Sequence, residues 1–270
     1  MVVQHNLTAM NTNRQLGITT GDLAKTTEKL SSGYRINRAS DDAAGLSISE
    51  KMRSQIRGLD KASSNAQDGI SAIQVAEGAL NEAHEILQRM NELATQAAND
   101  TNTSTDRTAI QAEITQLISE IDRIQSTTQF NTMNLLDGTF TDKKLQVGAL
   151  EGQTIDISIE DMSAASIGVS SVSVADHASA SAAMTSVQAA IEQVSEQRSA
   201  LGAIQNRLEH TIKNLDTTSE NTSAAESRIR DVDMAEEMVT FSKNNILQQA
   251  GQSMLAQANQ ATQGVLNLLQ

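Results

Sequence analysis

A helical repeat of apolar residues runs without interruption through roughly fifty positions in the first half of the chain. From Ile48 to Ala97 the apolar side chains recur in steps of three, four or seven, and Ser63 and Glu77 occupy the two skipped positions. At about 1.5 Å per residue, this repeat predicts a single helix about 75 Å long. Such a helix needs partner helices along its length, because the average globular helix has only about 11–12 residues.

The composition agrees with long helices. The 270 residues include no Pro, whereas an average chain of this length holds about a dozen. Pro is the residue that a helix interior tolerates least. Aromatic residues are limited to one Tyr and three Phe, so the core must be built from Ala, Leu, Ile, Val and ten Met. An enzyme core usually depends on aromatic residues, and this composition is more typical of packed helices.

Charge and cysteine content exclude several classes of function. The net charge of −13 argues against a nucleic-acid partner, which requires a basic surface. Because Cys is absent, disulfides and zinc–thiolate sites are excluded. No stretch approaches the roughly 20 apolar residues of a membrane span, so no membrane insertion is expected. The first residues lack the segments of a Sec signal peptide, which predicts either a cytoplasmic protein or export by another route.

Further apolar repeats predict two more internal helices. The long helix is expected over about 47–99 and is followed by a polar break. The repeat from Ile110 to Ile124 predicts a helix over about 105–128 that folds back on the first. Another repeat predicts a helix over about 180–216, and the polar residues 216–223 are expected to interrupt it.

The middle of the chain changes to a period of two. Residues 144–147 and 154–159 alternate polar and apolar side chains around a Gly-containing connector. This alternation predicts a β-hairpin within a region of about 130–162. Residues 162–183 are rich in Ser and Ala and are expected to form an exposed connection.

The two ends of the chain are predicted to pair. Leu16, Leu23 and Leu30 are spaced by seven, and the last forty residues carry a matching helical repeat. Distant helices with matching heptads are natural coiled-coil partners. The predicted fold class is therefore mainly α: an elongated helical bundle made by the N- and C-terminal segments together, with a small β-hairpin region in the middle.

A pair of terminal helices cannot bury all of this apolar surface. Each Å² left in water costs about 25 cal/mol, so the ends are expected to become ordered only against identical subunits. Head-to-tail contacts of this kind give open helical filaments. The candidate polymerisation core comprises Leu7, Leu16, Leu23, Leu30, Leu247, Met254, Leu255, Val265, Leu266, Leu268 and Leu269.

Several short motifs, in this order, resemble those of the bacterial flagellin family. The resemblance covers both ends of the chain and most of the middle, and its specificity lies in the order of the motifs. The motifs are LSSGYRIN at 30–37, DDAAG at 41–45, GALNE at 78–82, LQR at 87–89, ELA at 92–94, IQAEI at 110–114, TQFN at 128–131, ILQQAG at 246–251 and LAQANQ at 255–260.

This resemblance implies a structural subunit of an extracellular filament without the outer variable domains of larger relatives. Residues 1–33 and 223–270 would form the inner-tube domain, 34–46 a spoke, and 47–222 the outer-tube domain. The implied partners are identical subunits, the flagellar type III export apparatus, an export chaperone, and the filament cap and hook-junction proteins.

The resemblance also implies a host receptor, Toll-like receptor 5. The spacing alone favours a solvated helix surface with an interhelical salt bridge, because Arg89 lies on one predicted helix and Glu113 on the next. In flagellins the matching residues form the receptor-binding patch, and here that patch would comprise Gln88, Arg89, Glu92, Leu93 and Glu113.

No catalytic, cofactor or metal site is expected. The sequence HEILQ at 84–88 begins like a zinc-protease motif, but Gln88 replaces the second His that zinc would need. Gly33 is expected to end the first helix in the left-handed conformation, and Ser40 or Asp41 to cap the next one. Three glycines, Gly69, Gly78 and Gly251, lie inside predicted helices. Either they allow the backbones of two helices to approach closely, or the helices simply tolerate them.

Two alternative functions are weighed. A hook–filament junction protein shares the terminal architecture, but the complete internal motifs from 78 to 131 favour a filament subunit. A cytoplasmic signalling coiled coil of the chemoreceptor kind is also acidic and rich in Ala and Glu. The β-hairpin and the apolar C-terminal end argue against that alternative.

Overall fold

A computed structural model describes the backbone of residues 6–268 and the side chains of residues 6–261. The chain divides into two compact units: unit 1 comprises Met1–Ser54 and Glu220–Gln270, and unit 2 comprises Gln55–Ser219. The predicted fold class is confirmed, since residues 6–268 contain five helices and two small antiparallel sheets. The helices are α1 (Leu7–Ser32), α2 (Ala43–Ala97), α3 (Ser104–Thr127), α4 (His177–Arg230) and α5 (Met234–Leu268).

The long apolar repeat lies on α2, as predicted, and supplies much of the core of unit 2. Leu80 and Leu87 of α2 are fully buried together with Ile114 of α3 and Val194 and Leu201 of α4. Leu80 and Leu87 are seven residues apart, as are Val194 and Leu201, so each pair lies on one side of its helix, two turns apart. Within residues 6–268, no helical segment combines the length and apolar character that crossing a membrane requires.

Reciprocal hydrogen bonds fix the reversal between α2 and α3. The Thr103 hydroxyl accepts from the amide of Asp106, whose carboxylate accepts from the amide of Thr103 in return. This capping box satisfies amides that the first turn leaves without a helical partner. Arg107 Nε donates to the carbonyl of Ala97 at 3.1 Å and so covers the end of α2.

Helix α4 continues through the polar residues that were predicted to interrupt it. The prediction was wrong because these side chains form polar contacts with α2. Asp216 Oδ1 accepts from the Ser63 hydroxyl at 3.0 Å, and Asp60 Oδ1 accepts from the Ser219 hydroxyl at 2.8 Å. Residues 216–223 also contain neither Gly nor Pro, which would break a helix.

The predicted hairpin is present and is preceded by a smaller one. Strands β3 (Lys143–Gln146) and β4 (Thr154–Ile157) pair antiparallel with Leu145 opposite Ile155. The smaller hairpin consists of β1 (Gln129–Phe130) and β2 (Met133–Asn134). Helix α2 lies close to the larger hairpin: a Cβ atom added to Gly69 would overlap Leu145 Cδ1. The neighbour is a side chain of the hairpin, so the predicted backbone approach between helices was wrong at this glycine.

Residues 162–176, which we call the strap, alternate buried apolar side chains with exposed, mostly small ones, and residues 177–183 belong to α4. The prediction of an exposed connection over 162–183 was therefore wrong. Ala164, Val169 and Val174 are each fully buried against the core of unit 2. Two polar side chains of α3 bind the strap backbone. Gln111 accepts from the amide of Val174 at 2.8 Å and donates to the carbonyl of Val172 at 3.1 Å. Asp122 accepts from the amide of Ala164 at 2.9 Å.

The first helix ends and the second begins within unit 1. Gly33 has a φ of 75° and ends α1 in the left-handed conformation, as predicted. The predicted cap of α2 was wrong by one or two positions, because Asp42 accepts from the amide of Gly45 at 2.8 Å. Asp41 instead accepts hydrogen bonds from the amides of Asn37 and Arg38. These two bonds stabilise the turn that precedes α2.

Candidate functional site

Helices α1 and α5 expose many large apolar side chains. Val239 is 70% exposed, Leu7 69% and Ile246 66%. The exposed apolar residues of α5 lie on both sides of the helix face that contacts α1. An ordinary amphipathic helix has a single apolar stripe. We call the following side chains the terminal surface: Leu7, Met10, Ile18, Met234, Met238, Val239, Ile246, Leu247 and Met254.

Within residues 6–261, unit 1 buries almost none of its apolar side chains. Among residues 6–261, Ile36 is the one buried apolar side chain of unit 1, at 1% exposure. The other side chains that unit 1 buries there are polar: Thr19, Thr26, Ser49 and Asn244. Both hydrophobic core clusters lie in unit 2. The part of unit 1 that the structure describes therefore contains many apolar side chains but no hydrophobic core comparable to that of unit 2.

Close contacts hold α1 against α5. Asn6 caps α1 by accepting from the amide of Ala9, and its Nδ2 donates to the carbonyl of Ala258 at 3.0 Å. A Cβ atom added to Gly251 would lie 3.2 Å from Leu16 Cδ1, so this glycine marks a close approach between the helices. These contacts fix the register of α1 along α5.

The predicted polymerisation residues divide into two groups. Leu16, Leu23, Leu30 and Leu255 are partly buried in the structure. Leu7, Leu247 and Met254 are exposed and belong to the terminal surface. The side chains of Val265, Leu266 and Leu268, and all of Leu269, lie outside the described residues.

Val239 and Ile246 are exposed members that the sequence analysis missed. Their spacing of seven could have identified them, because residues seven apart lie on the same side of a helix.

The predicted receptor patch lies where α2 meets α3. Arg89 of α2 donates through Nε and Nη2 to Glu113 Oε1 of α3 at 3.0 and 2.9 Å. Its Nη1 donates to Glu92 Oε2 at 3.1 Å, and all three side chains are exposed. The hydrogen bond with Glu113, followed by that with Glu92, raises the pKa of Arg89 above its ordinary value.

Comparison with known proteins decides the family. The model of the bacterial flagellin N-terminal helical region matches residues 3–141, and that of the bacterial flagellin C-terminal helical region matches residues 184–269. The chain belongs to the bacterial flagellin family. It is therefore a structural subunit that polymerises into a flagellar filament.

Individual relatives agree with this assignment. The flagellin of Halalkalibacterium halodurans is 58% identical over 271 residues, and the match covers all of both chains. The flagellin of Bacillus subtilis is 52% identical, again over the full length of both. The crystal structure of Bacillus cereus flagellin is 33% identical, with a TM-score of 0.52, and the match covers 60% of this chain and 94% of that one.

One residue of the predicted receptor patch is not on the surface of this flagellin. Leu93 is 2% exposed and belongs to the core of unit 2, so it does not form part of an exposed patch. Gln88 is exposed, and its Nε2 lies 2.9 Å from Nε2 of His84. His84 is the first residue of the sequence HEILQ, which begins like a zinc-protease motif. The exposed residues of the α2–α3 patch are thus Gln88, Arg89, Glu92 and Glu113.

Two chain segments of this flagellin meet beside the start of α2. The amide of Arg35 donates to the carbonyl of Arg230 at 2.7 Å, and Tyr34 pairs with Asp231 in an antiparallel bridge. The Arg230 guanidinium lies 4.8 Å from the centre of the Tyr34 ring and donates to Glu50 at 2.7 Å. That hydrogen bond lowers the pKa of Glu50 below its ordinary value. These contacts tie the segment after α1 to the end of α4.

Charge is divided unequally between the two units. Unit 2 contains 22 acidic and 10 basic residues, whereas unit 1 contains 11 acidic and 10 basic residues. The net charge of the chain therefore resides almost entirely in unit 2. Because unit 1 is nearly neutral, copies of the terminal surface can approach one another without strong repulsion.

Proposed function

We propose that this flagellin polymerises through the terminal surface, with the terminal helices of neighbouring subunits covering one another's apolar side chains. Residues 1–33 and 223–270 would then form the inner tube of the filament. Residues 47–222 would form the outer tube, and residues 34–46 the spoke between the two. The chain divides into two units after residues 54 and 219. This division supports the arrangement, although its boundaries differ from those proposed here.

The observation that carries this proposal is the imbalance of burial in unit 1. Eleven of the 14 exposed large apolar side chains among residues 6–261 belong to unit 1, while Ile36 alone is buried there. Large apolar patches on a subunit mark the places where it meets a partner. A repeating copy of the same chain is the partner that the flagellin family supplies.

Electron microscopy of the purified chain, seeded with short filament fragments, tests this function. We expect long tubular filaments. A hook–filament junction protein, which is the alternative, would stop after a single ring, and a chemoreceptor-like coiled coil would form small clusters. Removal of residues 1–40 and 235–270 is expected to abolish the filaments. Sedimenting filaments from the truncated chain would contradict the proposal.

Assembly outside the cell requires that the subunit be exported. The proposed route is the flagellar type III apparatus, with an export chaperone that covers the terminal surface until export. The filament cap and the hook-junction proteins are the proposed partners at the two ends of the polymer. The exposed apolar side chains of α5 support a chaperone, because they would otherwise associate in the cytoplasm.

A second proposed function is recognition by Toll-like receptor 5 through the α2–α3 patch. The favouring observation is that Arg89 is held by two carboxylates and yet remains exposed. An arginine held in place loses little freedom on binding and presents a fixed set of donors. Gln88, Glu92 and Glu113 are exposed beside it.

Replacing Arg89 and Glu113 by Ala should weaken binding to the receptor ectodomain on the order of 10-fold, because arginines of this kind often dominate an interface. Surface plasmon resonance with the monomeric chain measures the affinity. Arg123→Ala is the matched control, because Arg123 forms an exposed pair with Glu120 elsewhere on α3. Equal affinity of the double variant and the parent chain would contradict this function.

A further inference from the structure

Methionine is unusually frequent among the exposed apolar side chains of α1 and α5. Met10, Met234, Met238 and Met254 are between 48% and 65% exposed. In unit 2, Met90 and Met162 are buried. Met133, which lies in the smaller hairpin, is the exposed methionine of unit 2 within the described residues. The terminal surface thus contains four accessible thioethers, and the core of unit 2 protects its own.

Accessible thioethers react with peroxide. Hydrogen peroxide transfers one oxygen atom to the sulfur, so that the thioether is oxidised by two electrons to a sulfoxide and the peroxide is reduced to water. The product is polar and no longer behaves as a flexible apolar side chain. Reaction depends on exposure, so the four thioethers of the terminal surface are open to it while Met90 and Met162 are shielded.

We propose that Met10, Met234, Met238 and Met254 form an oxidative modification site that controls whether a subunit can enter the filament. This inference rests on the proposed role of the terminal surface in assembly. In a free subunit the sulfoxide oxygen remains hydrated, so oxidation leaves the fold intact. In a filament the same oxygen must leave water, and a buried acceptor without a donor is unfavourable. Oxidation therefore opposes assembly and not folding.

Whether the four methionines can be oxidised depends on whether the subunit is free or assembled. Subunits already in the filament cover the terminal surface and shield its thioethers, whereas a free subunit exposes all four. Peroxide thus acts on subunits that neither the filament nor the export chaperone covers, and a sulfoxide reductase would restore them. Met133 lies outside the terminal surface, and its oxidation leaves assembly unchanged.

The test uses the wild-type chain. Monomers are partially oxidised with hydrogen peroxide, seeded, and separated into filaments and free subunits by sedimentation, and peptide mass spectrometry then measures the sulfoxide fraction at each methionine. We expect sulfoxide at the four terminal positions to be enriched among free subunits on the order of 10-fold. The fraction at Met133 should be equal in both pools, and equal fractions at all five positions would overturn the proposal.

Variants provide a second readout. A chain with all four terminal methionines replaced by Leu should polymerise after peroxide treatment, and Met133→Leu should stay as sensitive as the parent. If the fourfold variant does not polymerise even without peroxide, the test rests on the wild-type chain alone. The sulfoxide fractions of its filaments and free subunits then decide between the two outcomes. Untreated wild-type chain that forms no filaments contradicts the proposed function. Filaments that form without any enrichment overturn this inference alone.

Discussion

Replacing Ile246 and Leu247 by Glu will abolish filament formation and leave the subunit folded. Both side chains are exposed members of the terminal surface, so a carboxylate is fully hydrated at these positions in the monomer. In the filament it would have to leave water without a partner, at a cost of several kcal/mol per ion. Because each 1.4 kcal/mol is about a factor of ten, the critical concentration for assembly should rise by more than about 1000-fold, beyond the concentrations at which the parent chain forms filaments.

Seeded sedimentation assays measure this critical concentration, and circular dichroism reports the helical content of the monomer. Leu150→Glu is the matched control, because Leu150 is 68% exposed but lies in unit 2, outside the terminal surface. The control should assemble like the parent chain. If the double variant assembles at the parental concentration, the terminal surface is not the assembly site.

Replacing Gln111 by Leu should lower the free energy of unfolding by about 2–3 kcal/mol. Its amide both donates to and accepts from the strap, so the apolar replacement leaves the carbonyl of Val172 and the amide of Val174 without their partner. Both of these residues are buried, which restricts the access of water to the released groups. The strap should also become sensitive to protease.

Urea denaturation followed by circular dichroism measures the unfolding free energy, and limited proteolysis locates the loosened segment. Gln67→Leu provides the comparison, because Gln67 is an exposed glutamine on α2 within the same unit. It should change stability by less than about 0.5 kcal/mol. A Gln111→Leu chain as stable as the parent would show that core contacts alone hold the strap.

The helices could be predicted where apolar residues recur along one face at a regular, local spacing. The apolar repeat of α2 requires only residues within a few turns of one another, and it correctly predicted a helix over more than fifty residues. The period-two alternation likewise identified β3 and β4. Gly33 could be placed at the end of α1 because the left-handed conformation favours glycine.

The strap could not be predicted because its burial depends on distant residues. Gln111 and Asp122 bind it across 61 to 63 and 42 positions of sequence, respectively. Its Ser and Ala composition indicates exposure, and most of those side chains are exposed, but the larger apolar residues between them, such as Ile167, Val169 and Val174, are buried. The polar end of α4 was misinterpreted for a related reason, since Asp216 and Ser219 pair with residues of α2 more than 150 positions away.

The presence of unburied apolar side chains at the chain ends was predictable in kind but not in detail. An excess of apolar residues at both ends indicated an assembly surface, but α5 has apolar side chains on several sides. Periodicity alone could not show that Leu255 would be partly buried while Leu247 and Met254 stay exposed. Leu93 was assigned to the receptor patch because the matching residue of flagellins belongs to that patch, but it is buried in the core of unit 2.

Hydrogen exchange of the free subunit and of the filament, measured by mass spectrometry, tests most directly whether the chain ends depend on neighbouring copies. Amides of helices with few buried apolar contacts open easily. We expect the amides of α1 and α5 to exchange much faster than those of α3 in the free subunit, and to become protected in the filament. Equally slow exchange in all three helices of the free subunit would contradict the account.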